Sequence, residues 1–343
     1  MLAAIAKEAE LQKSYLSESI ETLYFGGGTP SLLSIDQLQK LMGVITSTYQ
    51  IHPSAEITLE TNPDDFEETK LDAWKKIGIN RLSIGIQSFF EADLKWMNRA
   101  HNAAQADNCI RMAKAAGFDN ITIDLIYGTP TLTDELWKEN VDKALALGID
   151  HLSCYALTVE AKTGLDIMIQ QKKIEPVDPD KQARHFSLLM QWLADAGFDH
   201  YEISNFSKPG KKSKHNSNYW NGIDYLGLGP SAHSFNGKSR QWNVANNALY
   251  IQSLAKDQVP FELELLTNME RLNEYIMTNL RTMEGLSLDL IKRKWSEKEL
   301  EQILELAQKH ISQGWMLYQD EKLILTTAGK LLADGIASDL FFV

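Results

Sequence analysis

Cysteine is nearly missing from the 343 residues: there are two, Cys109 and Cys154, far apart in sequence. That excludes a secreted disulfide framework and fits a reducing cytoplasm, the expected location. Long apolar runs are missing too. No stretch approaches the roughly 18 apolar residues of a membrane helix, so no integral membrane segment is expected. The opening MLAAIAKEAELQKSYL interrupts its Ala and Leu with Lys7, Glu8 and Glu10. It reads as an amphipathic helix and not as a signal peptide. Positive charge is scarce, 34 Lys and Arg against 46 Asp and Glu, a net −12. Such a surface repels a phosphate backbone, so no nucleic-acid partner is expected. The one dense basic run, Lys208 to Lys214, is short enough to be a solvated loop. Low-complexity segments are lacking, as is the Gly-Lys-Ser/Thr of a phosphate loop.

What remains is an ordinary globular composition, 44% hydrophobic and 23% charged, in a chain long enough to bury a core without staples. Its first half repeats one unit. Glu21–Phe25 reads as a buried strand ending in a glycine turn, Gly26-Gly27-Gly28-Thr29-Pro30. Ser34-Ile-Asp-Gln37 is a capping box opening a helix with Leu38, Leu41, Met42 and Ile45 on one face. EITLET, RLSIGI, NITIDLI, HLSCYAL and HYEISNF read as further strands, with helices between the earlier ones closed by Gly78, Gly117 and Gly148. Alternation at this spacing means parallel β/α units. A doubly wound sheet would alternate in the same way. From about Leu265 the pattern changes to three helices, a hairpin around Asp320-Glu321 and a final helix, a winged-helix-like order. In an acidic chain that order suits a structural or partner-contacting module better than DNA.

In a parallel barrel, ligands sit over the C-terminal strand ends. The first end carries Gly26 to Thr29, whose bare backbone admits a ligand closely. Ser31 stands where a dinucleotide fingerprint needs glycine or alanine. A plain tight turn explains the glycines equally well. The other ends favour a site: Glu60 closes the second strand, Gln87 closes the third, Asp124 lies near the end of the fourth, and Arg99 stands twelve residues beyond Gln87. Carboxylates so placed suit ribose hydroxyls or an ammonium, and the arginine suits a carboxylate.

Together YFGGGTPSLLS, LETNPDD, RLSIGIQSF, MNRAH and ITIDLIYGTP resemble the radical S-adenosylmethionine (SAM) proteins related to oxygen-independent coproporphyrinogen III oxidase. His215-Asn-Ser-Asn-Tyr219-Trp220 is similar to the HNxxYW motif of the HemW branch, whose members are haem chaperones. The resemblance runs from about Thr22 to the end. It implies an α/β fold: a partial (β/α)6 barrel missing its first strand, with a smaller C-terminal domain. The boundaries expected are 1–206 for the barrel, 207–264 for a connecting region and 265–343 for the winged-helix-like domain. It implies that Gly27 and Glu60 hold a cluster-bound SAM. Gly28, Thr29, Gln87, Arg99 and Asp124 fall where the oxidases place a second SAM, and Ala156 falls at another family contact. Haem and haem-acceptor proteins are the partners it implies, and it leaves a homodimer open. His215 follows a basic loop and is the haem candidate, a structural histidine being its alternative; His233 in GLGPSAHSF is the lesser one, and Tyr219 and Trp220 could stack on a porphyrin. An oxidase of porphyrin biosynthesis and a non-catalytic scaffold are the rival readings.

The family's CxxxCxxC, three thiolates on a [4Fe–4S] cluster, has no counterpart here. Cys109 falls on a helix and Cys154 in a strand, so no metal ligand set and no radical chemistry are expected of these residues. By the same resemblance the first helix corresponds to the one after the family's first strand, and Met1 is expected to be an internal start or a shortened N-terminus.

Overall fold

The computed structural model describes residues 1–342. In chain order, α1 (Leu2–Leu11) precedes β1 (Ile20–Phe25), α2 (Ile35–Thr48), β2 (Ile51–Thr61), α3 (Glu68–Ile77) and β3 (Arg81–Gln87). Then come α4 (Glu91–Trp96), α5 (Ala103–Ala115), β4 (Ile121–Tyr127), α6 (Asp134–Ala146), β5 (His151–Ala156), α7 (Gly164–Gln170) and α8 (Pro179–Asp195). β6 (Asp199–Glu202), β7 (Asn205–Ser207), α9 (Lys214–Trp220), β8 (His233–Phe235), β9 (Ser239–Asn243), α10 (Asn247–Leu254) and β10 (Phe261–Leu265) follow. The chain continues through α11 (Asn268–Leu280), β11 (Leu286–Ser287), α12 (Leu288–Lys294), α13 (Glu297–Ser312), β12 (Met316–Gln319), β13 (Lys322–Leu325), α14 (Thr327–Lys330) and α15 (Ala333–Asp339).

Packing resolves two compact units. One comprises Met1–Tyr24, Leu33–Ile57 and the chain from Lys214 onward; the other comprises Phe25–Leu32 and Thr58–Ser213. The second unit is α/β, as expected. β2, β3, β4 and β5 pair in parallel, with Glu60 opposite Ser83, Ile84 opposite Ile123 and Asp124 opposite Ser153. Leu59, Leu82, Ile84, Ile123, Leu125 and Leu152 are wholly buried, the near-continuous apolar run of strands covered on both faces. Trp74 of α3 and Trp137 of α6 are equally buried. Each helix follows a strand because its apolar stripe has that sheet to cover.

HYEISNF is two strands and not the single one expected. β6 and β7 run antiparallel, and β7 pairs antiparallel with β5. The cause is local: the Glu202 carboxylate accepts from the Ser204 amide at 3.1 Å and from Asn205 Nδ2 at 2.7 Å, folding the chain back within two residues.

In the first unit the capping box forms as the sequence requires, Gln37 N donating to Ser34 Oγ (3.2 Å) and Ser34 N to Gln37 Oε1 (2.9 Å). Glu8 of α1 is buried and accepts from Gly229 N (2.8 Å), Asn243 Nδ2 (2.6 Å) and the Tyr250 hydroxyl. β8, β9 and β10 form an antiparallel sheet, and β11, β13 and β12 another. The turn between β12 and β13 has Asp320 and Glu321 at φ 51° and 56°, the left-handed pair of a two-residue hairpin.

Candidate cofactor site

β1 ends in the glycine turn. Gly27 and Gly28 both sit at φ +73°, where side-chain-bearing residues are strained, and a Cβ on either would meet nothing within 4 Å. The glycines therefore serve backbone shape beside open space, not tight packing. Gly27 N donates to Glu60 Oε2 at 3.2 Å, joining the ends of β1 and β2. Ser31, the residue that departs from the dinucleotide fingerprint, is fully buried and donates to Asp65 Oδ2 at 2.5 Å. Its hydroxyl fixes the turn to the segment after β2, a task no glycine could perform.

Beyond β3 the backbone is strained. Gln87 has φ +64°, and Ser88 N donates to Ile86 O at 2.8 Å across it, closing a three-residue turn. The β3–β4 register shifts at the same point. Arg99 returns from the loop after α4, Nη2 donating to Asn62 Oδ1 (2.9 Å) and Gly85 O (3.3 Å). His101 holds that loop down with Nε2 3.0 Å from Ile86 O, and burial keeps its pKa below the ordinary imidazole value. A Cβ on Gly85 would stand 3.1 Å from Gln87 Nε2 and 3.4 Å from both Arg99 Nη2 and Asn62 Oδ1. Those three side chains therefore converge over one glycine.

The charges are unbalanced and enclosed. Burial pushes the Asp124 carboxyl up to about 7, and neighbouring Glu60 pushes the same way, against Ser153, Arg81 and Arg99. Burial also lowers the Arg99 pKa, with Asp64 and Asp124 opposing. Arg99 Nε is buried with no hydrogen-bond partner among the described residues. An orphaned buried donor near a carboxylate that resists ionisation makes this cluster a candidate binding site.

The structure thus brings Gly27 to Glu60, gathers Gln87 and Arg99, and couples Asp124 to Glu60 and Arg99. Gly28 and Thr29 share the turn. Ala156 ends β5 opposite Tyr127, with no side-chain bond linking it to the others. His215 lies in the other unit on α9: its Nδ1 is 2.9 Å from Thr22 Oγ1, and its ring stacks on Tyr24 at 4.6 Å and meets Tyr219 edge-on at 5.0 Å. Sequence reasoning missed Asn62, Gly85 and His101. LETNPDD, RLSIGIQSF and MNRAH contain all three.

Cys109 and Cys154 are each 1% exposed, and burial pushes both thiols far up, the reverse of what a thiolate ligand needs. Among the described residues no group of three His, Cys, Asp or Glu is placed to hold a metal ion. The residues present do not fit an iron–sulfur cluster.

Residues 2–152 match the Radical SAM superfamily. Over 341 residues the chain is 33% identical to the heme chaperone HemW of Mycobacterium tuberculosis (strain CDC 1551 / Oshkosh), spanning 99% of this chain and 85% of that protein. The chain belongs to the HemW family. The HemW of Bacillus subtilis is 33% identical over 325 residues, 92% of this chain and 84% of that one. Among solved structures, coproporphyrinogen III oxidase (HemN) from Escherichia coli superposes with a TM-score of 0.85 over 99% of this chain and 82% of that chain. At 23% identity that likeness carries the fold, and the HemW assignment rests on the sequence relatives.

Proposed function

We propose that this protein is a cytoplasmic haem chaperone: it binds haem and passes it to acceptor proteins. The observation that carries the reading is the match to HemW relatives over nearly the whole chain, including the HNxxYW segment at His215. Haem is the cargo. His215 is the candidate ligand, its Nδ1 lying 2.9 Å from Thr22 Oγ1. Metal-ligating histidines are commonly held in this way through their second nitrogen. Two buried, unpaired cysteines suit the cytoplasm, and among the described residues no helix is long and apolar enough to cross a membrane.

The barrel residues fit SAM. Open space over Gly27 and Gly28 admits its aminocarboxylate end, Glu60 suits the ammonium, the orphaned Arg99 donor suits a carboxylate, and Asp124 and Gln87 suit ribose hydroxyls. Thr29 and Ala156 complete the rim. Bound SAM supplies its sulfonium; the chain's own residues bind and orient it, and hold no cysteine set to anchor a cluster beside it.

The test is titration of the purified protein with ferric haem, read as absorbance. A saturable Soret band that weakens in His215→Ala supports the proposal. A spectrum that stays that of free haem at every ratio removes it.

A further inference from the structure

The outer strand of the β8–β9–β10 sheet is apolar where a sheet edge is ordinarily guarded. β10 lies at that edge, and all of its residues, Phe261-Glu-Leu-Glu-Leu265, are exposed. Its register with β9 runs unbroken from Phe261 opposite Asn243 to Leu265 opposite Ser239. The two-residue period then puts Phe261, Leu263 and Leu265 on one face and Glu262 and Glu264 on the other. The apolar side chains are 43%, 55% and 74% exposed, while their β9 neighbours Asn243, Gln241 and Ser239 are buried. β10 therefore overhangs whatever covers β9 on that face. Edge strands are commonly blunted by proline, a bulge or lysine. None of these occurs from Phe261 to Leu265.

The backbone is aligned with the side chains. Val244 N donates to Pro260 O and Leu266 N to Lys238 O, each at 2.9 Å. Those bonds place the hydrogen-bonded pairs with β9 at the even-numbered positions, in an unbroken register. The N–H and C=O groups of Phe261, Leu263 and Leu265 therefore point away from β9. A strand laid antiparallel along this edge would exchange its bonds with the three apolar residues, about six bonds in all. Glu262 and Glu264 would take the non-hydrogen-bonded positions, where facing side chains come closest, with Cα atoms about 4.5 Å apart.

The glutamates select the occupant. Trp242 and Arg240 of β9 stand opposite them, with His233 and Phe235 of β8 beyond. Arg240 is already engaged: its Nε donates to Glu274 Oε1 at 2.6 Å, and its guanidinium lies over the Phe235 ring. A second copy of this chain fits poorly. Antiparallel pairing centred on Leu263 would set each Glu262 against the copy's Glu264, and like charges directly opposite destabilise a sheet. Each copy would also bring a net charge of −12. We propose that β10 is a docking edge for an extended segment of a partner protein in which apolar and basic residues alternate, taken up as a fourth strand. Its apolar side chains extend the row of Phe261, Leu263 and Leu265, and its lysines or arginines meet Glu262 and Glu264. Backbone bonds supply the affinity of such a complex, and the alternating side chains its specificity.

The test is fluorescence anisotropy of two labelled peptides titrated with the full chain, one of alternating lysine and valine, the other of alternating glutamate and valine. The lysine peptide is expected to bind the wild-type protein at least about tenfold more tightly. The exposed double variant Glu262→Lys/Glu264→Lys is expected to reverse that preference. Leu263→Pro removes an N–H that faces away from β9, a position where an edge strand tolerates proline. It is expected to keep the wild-type circular dichroism and to raise the Kd of the lysine peptide by roughly tenfold or more. An unchanged preference in the charge-reversed protein, the mark of diffuse attraction to an acidic surface, would overturn the proposal, as would wild-type affinity in Leu263→Pro. A dimer in light scattering that Leu263→Pro dissociates would overturn it too, because a second copy would then occupy the edge. No readout involves haem, so failure of the chaperone reading leaves these outcomes unaffected.

Discussion

Asp124→Asn removes one charge from the barrel interior and keeps the side chain's shape. The native carboxyl, ordinarily near 3.8, is held at about 7. Taken at face value that displacement is roughly 4 kcal/mol. Asp124 keeps part of its surface open, and screening by water brings a working figure to roughly 2 kcal/mol. The sign follows from proton counting. Above pH 4 the unfolded chain releases this proton while the native protein keeps it until near pH 7. The group therefore costs nothing below its unfolded pKa, and its penalty grows as pH rises to 7, then stays level. Asparagine does not titrate. Urea unfolding of both proteins at pH 5, 6, 7 and 8 should show the variant gaining on wild type by about 1–2 kcal/mol across that range. The same variant should bind SAM more weakly, since stability is commonly gained where a binding charge is lost. A stability gap that is constant from pH 5 to 8 would refute the assignment of a strained carboxyl to this position.

Other expectations follow from single contacts. Ser31→Ala leaves the Asp65 carboxylate without its buried donor and should cost about 2–3 kcal/mol of stability in the same assay. Gly85→Ala should leave the fold intact yet displace Gln87 and Arg99; isothermal titration with SAM should show on the order of tenfold weaker binding, and unchanged affinity would separate that trio from the ligand. Neither Cys109 nor Cys154 should react with a thiol reagent in the native protein, and both should react in guanidinium; native reactivity at either would contradict the burial that rules them out as cluster ligands.

Strands and their glycine turns were legible because period and punctuation are local: the ends at Phe25, Thr61 and Ile86 were placed within a residue or two. The β12–β13 hairpin was legible for the same reason, Asp320-Glu321 lying between two β-rich runs. The site was legible only as strand-end polarity. Arg99 meets Asn62 across 37 positions and Gly85 across 14, and nothing in the spacing of either pair announces the contact. Ser31 looked like a missing glycine until its hydroxyl was seen on Asp65. HYEISNF has the composition of one strand, yet it folds as a hairpin whose turn the Glu202 carboxylate ties by taking up two N–H groups. Side chains that substitute for backbone partners are invisible to periodicity.

The central claim is that haem is handed on, and stopped-flow transfer tests it most directly. The haem-loaded protein is mixed with rising concentrations of an apo b-type cytochrome, and the Soret shift is followed. A chaperone that docks on its acceptor predicts a transfer rate that climbs with acceptor concentration. A rate independent of acceptor, set by haem falling off into solution, would contradict it.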